Sequence, residues 1–247
     1  MIPKKIHYCW FGGKPLNKLG KKCIKSWMKF FPNYDIIEWN ESNFDLDSCK
    51  YVKEAYEAKK WAFVSDYARY KILYEEGGVY FDTDVEVIKS FDDIVSRGAF
   101  MGCENPDTAT KLAVNPGLGC AVEAGNPFYR EMLDESENSS FYKEDGSLEL
   151  YNIVNRTTDH LQKHGLKNTG EIQCVCNITV YPAEYFCPIN MNTGKMEKTK
   201  NTRSIHRYAA SWVDPISRLR GKIYFLIVGL FGEKTAIKAR KLFGKKS

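Results

Sequence analysis

About a third of the way along, the chain changes period without a linker. Residues 61–76 carry apolar side chains at helical spacing, Gly77-Gly78 stops the helix, and Val79-Tyr80-Phe81 runs on as a strand into Asp82-Thr83-Asp84-Val85. The N-terminus repeats the alternation. Ile2 to Trp10 reads as a strand, Leu16, Leu19, Cys23, Trp27, Phe30 and Phe31 mark an amphipathic helix, and Tyr34 to Trp39 reads as a second strand. Strand, helix and strand in that order open an α/β sheet with crossover helices, which gathers ligands at the carboxyl ends of its strands, and Trp10 falls at such an end. Further strands are expected near 99–103, 117–122, 178–181 and 203–207, and helices near 48–59, 127–136 and 148–164.

A chain of 247 residues builds one substantial core but not two full enzymatic domains with a linker. One catalytic unit over 1–214 is therefore expected, followed by a tail over 215–247. The eight cysteines are scattered from Cys9 to Cys187 in a chain too large to need disulfide staples. Cys174-Val175-Cys176, the close pair among them, lacks the second pair that a structural zinc site needs and reads as strand packing. No leader pattern precedes the first strand, which points to the cytoplasm.

The net charge of +5 is uneven. Residues 216–247 hold nine Lys or Arg against the single Glu233, leaving 27 basic and 30 acidic side chains, or −3, in residues 1–215. A nucleic-acid enzyme would carry its positive charge on the working face, so a nucleic-acid partner is not expected. After Asp214-Pro215, Ile216, Leu219, Ile223, Leu226, Ile227 and Leu230 recur at helical spacing. The longest apolar run, Ile223 to Phe231, is too short to cross a bilayer. The tail reads as a basic amphipathic helix lying on an anionic membrane surface, at the inner face of the cell membrane. A helix docked on the domain with a solvated basic end remains the alternative.

The chemistry is concentrated at Asp82 and Asp84. In extended chain two carboxylates two residues apart point to one side and can meet one cation, and hard oxygen ligands suit Mn²⁺ or Mg²⁺. Two acids placed directly after Val79-Tyr80-Phe81 are costly to bring out of water without such a cation. An ion held by so few carboxylates keeps positions open for the oxygens of a nucleotide diphosphate. On the preceding helix Asp66 and Arg69 are three apart and share a face, which allows either a surface ion pair or a grip on sugar hydroxyls and diphosphate.

Taken together, Ser65-Asp66-Tyr67-Ala68-Arg69, Glu76-Gly77-Gly78-Val79-Tyr80-Phe81-Asp82-Thr83-Asp84 and the N-terminal Ile2-Pro3-Lys4-Lys5-Ile6-His7-Tyr8-Cys9-Trp10 closely resemble glycosyltransferase family 32. Its members include relatives of yeast mannosyltransferases and bacterial capsular sugar transferases, and the spacing is also similar to that of the large clostridial glucosylating toxins. The resemblance implies a Rossmann-like glycosyltransferase-A fold with a mixed central sheet. It implies a retaining transfer of a hexose or N-acetylhexosamine from a nucleotide sugar, UDP-linked by preference or GDP-mannose as the alternative, to a glycan acceptor. The cationic amphipathic end of a cytoplasmic body adds the expectation that this acceptor is lipid-linked and serves bacterial surface polysaccharide assembly. By the same resemblance Trp10 stacks on the base, Ser65, Asp66 and Arg69 hold the donor, and Tyr80 supports the diphosphate. Asp82 and Asp84 serve the metal, with His206 of Ile205-His206-Arg207-Tyr208-Ala209-Ala210-Ser211-Trp212 as a further ligand. Ser211 and Trp212 close over the diphosphate, Asn115 of Asn115-Pro116-Gly117 contacts the sugar, and Asp66, Arg69 and Asp84 form the catalytic set.

Two readings compete. The string Val79-Tyr80-Phe81-Asp82-Thr83-Asp84-Val85 also matches the nucleophile strand of haloacid-dehalogenase-type phosphatases, although the later Lys and acidic pair of that scaffold are not recognisable here. A membrane-surface binding module, with the basic tail as its working part and the acids holding a structural cation, is the non-enzymatic alternative.

Overall fold

The computed structural model describes residues 1–104, 112–190, 195–209 and 223. The expected tail helix and Ser211 and Trp212 lie outside the described residues. The first strand, β1 (Lys5–Cys9), pairs in parallel with β2 (Asp35–Trp39) across the helix α1 (Lys18–Phe30). Asn17 starts α1 by accepting the Gly20 amide at 2.8 Å, and Cys23 and Trp27 form its buried side. Next come α2 (Lys50–Glu57) and α3 (Trp61–Glu76). α3 ends at Gly77 with φ +62°, and β3 (Gly78–Tyr80) starts at once, beside and parallel to β1. The helix stop therefore does what the two glycines predict.

The chain continues through β4 (Val85–Val87), α4 (Asp92–Val95), β5 (Phe100–Gly102), β6 (Cys120–Val122), α5 (Pro127–Glu137), α6 (Ile153–Lys163), β7 (Gln173–Val175), β8 (Ile178–Tyr181), α7 (Ala183–Phe186) and β9 (Ser204–His206). Seven strands form one mixed sheet in the order β2-β1-β3-β6-β5-β8-β7. β6 runs antiparallel to both β3 and β5, β7 antiparallel to β8, and the other neighbours are parallel. β4 and β9 form a separate antiparallel ribbon.

Alternation along the central strands divides the interior in two. Tyr80, Met101, Cys120 and Val122 face a core closed by α3, α5 and α6, while Val79, Phe100 and Ala121 face a second core closed by α1 and α7. His7 stitches the junction: its Nε2 donates to the Gly77 carbonyl at 2.9 Å and its Nδ1 accepts from Trp39 Nε1 at 3.1 Å. Burial lowers the His7 pKa to about 4, so the ring that joins β1, β2 and the end of α3 is neutral.

Three local expectations are corrected. The strand from Val79 does not run through to Val85; it ends at Tyr80, and a turn closed by the Val85 amide on the Asp82 carbonyl at 3.0 Å carries the acids before β4 begins in the other sheet. Cys174 and Cys176 are not both strand residues. Cys176 and Asn177, at φ +53° and +60°, make the two-residue turn of the β7–β8 hairpin, and Cys174 is exposed. Finally, α6 starts at Ile153 and not near 148, because Asn152 caps it on the Asn155 amide at 2.9 Å while Leu148 bridges back to Tyr142.

Candidate metal and donor site

β1 and β3 are parallel neighbours, so Trp10 and Asp82 emerge side by side at their carboxyl ends. The turn after β3 then folds Asp84 back. Asp84 Oδ1 meets His206 Nε2 at 3.0 Å, Asp84 Oδ2 accepts the Ala209 amide at 2.7 Å, and the Asp84 carbonyl accepts the Arg207 amide at 2.9 Å. The ribbon explains the meeting: Val85 lies opposite His206, so β9 delivers an imidazole from far along the chain to the acid that precedes β4. Tyr208, at φ +46°, bends the chain directly after β9 and sets its ring 4.2 Å from that of His206.

Asp82 is held from behind. Arg69 on α3 is 3% exposed, donates through Nη2 to Asp82 Oδ1 at 2.8 Å and pairs with Asp66 Oδ1 at 3.3 Å, while its guanidinium lies 4.7 Å from the centre of the Tyr80 ring. The i, i+3 pair predicted from sequence is thus neither a surface pair nor a pair alone. It is two thirds of an Asp66–Arg69–Asp82 chain whose guanidinium is buried under Tyr80 and whose carboxylates are half-buried. From the front, the Asp82 amide donates to the Gly117 carbonyl at 3.0 Å, and a Cβ on Gly117 would stand 2.0 Å from Asp82 Oδ2. Asn115 does not reach the acids. Its Oδ1 caps the short helical turn on the Gly117 amide at 2.7 Å, and its Nδ2 donates to Glu104 Oε2 at 2.7 Å.

Charge follows geometry. Burial raises the Asp66 pKa to about 7, with Arg69 working against the rise and Asp82 adding to it. Burial also opposes the charge on Asp84, but His206 and the Ala209 amide outweigh it and hold the carboxyl below its ordinary range. For His206 burial disfavours the cation, yet Asp84, then Asp82 and Glu104, carry its pKa above the ordinary value.

The donors fit a divalent cation. Asp82, Asp84 and His206 each offer one ligand atom, all within 4.8 Å of one another, and two carboxylates with an imidazole suit Mn²⁺ and accept Mg²⁺. The Nδ1 of His206 is buried without a hydrogen-bond partner, as are Nε and Nη1 of Arg69, so polar capacity around the cluster is not used up. The other residues named from sequence sit nearby in different roles: Trp10 donates through Nε1 to the Lys14 carbonyl at 2.6 Å, Ser65 Oγ donates to the Trp61 carbonyl at 3.0 Å, and Tyr80 is 1% exposed and lines the core. Gly117 and Glu104 were missed. Gly117 stood inside a string already singled out for its Asn, whereas nothing in the sequence around Glu104 distinguishes it.

Comparison with known proteins bears on the fold and on the segment that carries the acids. Residues 18–101 match the family described as the glycosyltransferase sugar-binding region containing DXD motif. An uncharacterized glycosyltransferase of Acanthamoeba polyphaga mimivirus is 24% identical over 204 residues, covering 79% of this chain and 76% of that protein. The inositol phosphoceramide mannosyltransferase 3 of Schizosaccharomyces pombe is 26% identical over 139 residues, covering 53% of this chain and 36% of that protein. Among solved structures, the PaToxG glycosyltransferase superposes with a TM-score of 0.50 at 20% identity, over 66% of this chain and 69% of that one, which supports the mixed glycosyltransferase-A type of fold. The matched segment holds Asp66, Arg69, Asp82 and Asp84, and over residues 18–101 the chain is similar to the DXD-containing sugar-binding region of glycosyltransferases.

Proposed function

We propose that the chain is a retaining glycosyltransferase that moves a hexose or N-acetylhexosamine from a nucleotide diphosphate sugar, UDP-linked by preference, to a glycan acceptor. The observation that carries this reading is the convergence of Asp82, Asp84 and His206 at the end of β3, next to Trp10 at the end of β1. Mn²⁺ or Mg²⁺ held by those three residues would offset the negative charge that develops on the leaving diphosphate. Arg69 keeps the Asp82 carboxylate oriented from behind, and Asp66 would accept a hydroxyl of the donor sugar. Trp10 provides a flat face for the base, and Ser211 and Trp212 close over the diphosphate. The acceptor hydroxyl attacks the anomeric carbon from the side the phosphate leaves, the bond from that carbon to the phosphate oxygen breaks, and the departing oxygen takes the hydroxyl proton.

Mannose is the second reading for the sugar, favoured by the name of the fission-yeast relative. That relative acts, by its name, on a lipid, which also supports a lipid-linked acceptor; with the basic tail, it suits work at the inner face of a cell membrane in surface polysaccharide assembly. Among the described residues no helix is long and apolar enough to cross a membrane.

The test is release of nucleoside diphosphate from a panel of UDP- and GDP-sugars, with Mn²⁺ and with a chelator. Release from one donor class is expected, abolished by chelation and reduced about 100-fold or more by Asp82→Asn or Asp84→Asn with the circular dichroism unchanged. Undiminished release in either variant, or release indifferent to the chelator, overturns the reading.

A further inference from the structure

One face of α1 carries more positive charge than its ion pairs among the described residues balance. Its thirteen residues include Lys18, Lys21, Lys22, Lys25 and Lys29 and no acid. At 3.6 residues per turn these five fall within about 100° of arc, opposite the buried Cys23 and Trp27. All five are exposed, and Lys22 alone has an ion-pair partner among the described residues, Glu86 at 2.9 Å. Met28, 57% exposed, lies at the margin of the stripe. Two features of this helix run against its own stability. Lys18 and Lys22, Lys21 and Lys25, and Lys25 and Lys29 are like charges at i, i+4, and the cations crowd the N-terminal half, where the helix dipole disfavours them. A merely solvated face would mix signs. The rest of residues 1–215 is acidic on balance, so this concentration is local.

We propose that the lysine face of α1 docks on an anionic lipid surface, with Met28 entering the headgroup layer. Charge complementarity selects a polyanion, and the exposed thioether at the margin of the stripe selects a membrane over a soluble one. The placement has a consequence for the site. Trp27 Nε1 donates to the Val85 carbonyl at 2.8 Å, Ser26 Oγ accepts the Val87 amide at 2.9 Å, and Lys22 and Arg207 share Glu86, so α1 is bolted to the β4–β9 ribbon that holds Asp84 and His206. Docking through α1 would hold that ribbon at a fixed height above the membrane. This deepens the proposed function by giving a lipid-linked acceptor a reason to be within reach, yet vesicle binding is read without any sugar donor and can fail or succeed by itself.

The experiment is flotation of the full chain with vesicles of phosphatidylcholine alone and with 30% phosphatidylglycerol, a composition that sets the surface charge. Three proteins are compared: wild type, a variant with Lys18, Lys21, Lys25 and Lys29 each changed to Gln, and a variant with Lys238, Arg240, Lys241, Lys245 and Lys246 each changed to Gln. Lys22 is kept because it holds Glu86. Expected are salt-sensitive binding to the anionic vesicles alone, a loss of at least about tenfold in the α1 variant, and retained nucleotide-sugar hydrolysis in that variant. Wild-type binding by the α1 variant, with loss confined to the tail variant, overturns the proposal. So does an α1 variant that keeps vesicle binding but loses retention on heparin or RNA, which would assign the stripe to a soluble polyanion. Met28→Ser separates the apolar contribution: a weaker vesicle affinity with unchanged heparin retention is expected, and equal loss on both supports overturns the membrane assignment.

Discussion

At the residue scale the site is organised by a guanidinium that solvent hardly touches. Arg69 directs its Nη2 at both Asp66 and Asp82 under the Tyr80 ring, which makes it a positioning residue for Asp82. Asp66 bears the consequence. Its pKa is raised by burial to about 7, against about 3.9 in an unfolded chain, so folding favours the protonated form. The associated stability is fully present below pH 4 and is lost as pH rises through about 7. Replacing Asp66 by Asn removes this group and leaves Asp84 and His206 in place. The difference in urea midpoint between wild type and Asp66→Asn is therefore expected to grow in the variant's favour from pH 4 to pH 7 and then level off. A difference that stays flat across that window would mean the carboxyl is solvated and the buried chain through Arg69 is wrong.

At the scale of elements, what was legible in the sequence was whatever one stretch of chain decides alone. The end of α3 was legible because Gly77 and Gly78 have a local reason to be glycine, and the crossover of α1 because its apolar spacing is regular. β7 was legible only in part: Cys174 and Val175 read as strand, but a three-residue edge strand has no periodicity to fix its end, and its turn uses Cys176-Asn177 instead of a glycine pair. The break after Tyr80 was hidden for another reason: apolar residues continue through Val85 and Val87, but they serve the second core from a different sheet. Asp82 and Asp84 do converge, through a turn that no alternation rule describes. The junction itself can be tested. Gly78 sits at φ +105°, and a Cβ there would stand 2.9 Å from the Lys5 carbonyl oxygen and 3.0 Å from His7 Nε2. Gly78→Ala must therefore strain the backbone and press on the ring that stitches β1 to the helix stop. A loss of about 2 kcal/mol or more in urea unfolding is expected; a cost near that of an ordinary surface substitution would show that the junction relaxes freely.

At the scale of the molecule, the site is a closure between distant parts of the chain. Asp82 and Asp84 follow β3, His206 ends β9, and the β4–β9 ribbon is the backbone contact that brings them together. Local sequence could propose His206 only through a resembled segment, because no spacing rule joins residues so far apart. The same separation predicts how a cation acts on folding. Three donors that meet only in the native state bind it there and not in the unfolded chain, so binding stabilises the whole fold. At a free Mn²⁺ concentration about 100 times its dissociation constant the gain is about 2.7 kcal/mol. For a chain of this size that raises the melting temperature by about 5 to 10 °C. The rise is expected in wild type, and in neither Asp84→Asn nor His206→Ala, when melting is followed by circular dichroism without any donor sugar. His206→Ala is the discriminating variant. If it keeps the Mn²⁺ shift while Asp84→Asn loses it, the carboxylates hold the ion alone and His206 serves to orient Asp84; if all three proteins shift alike, the ion binds elsewhere and the closure is not a metal site.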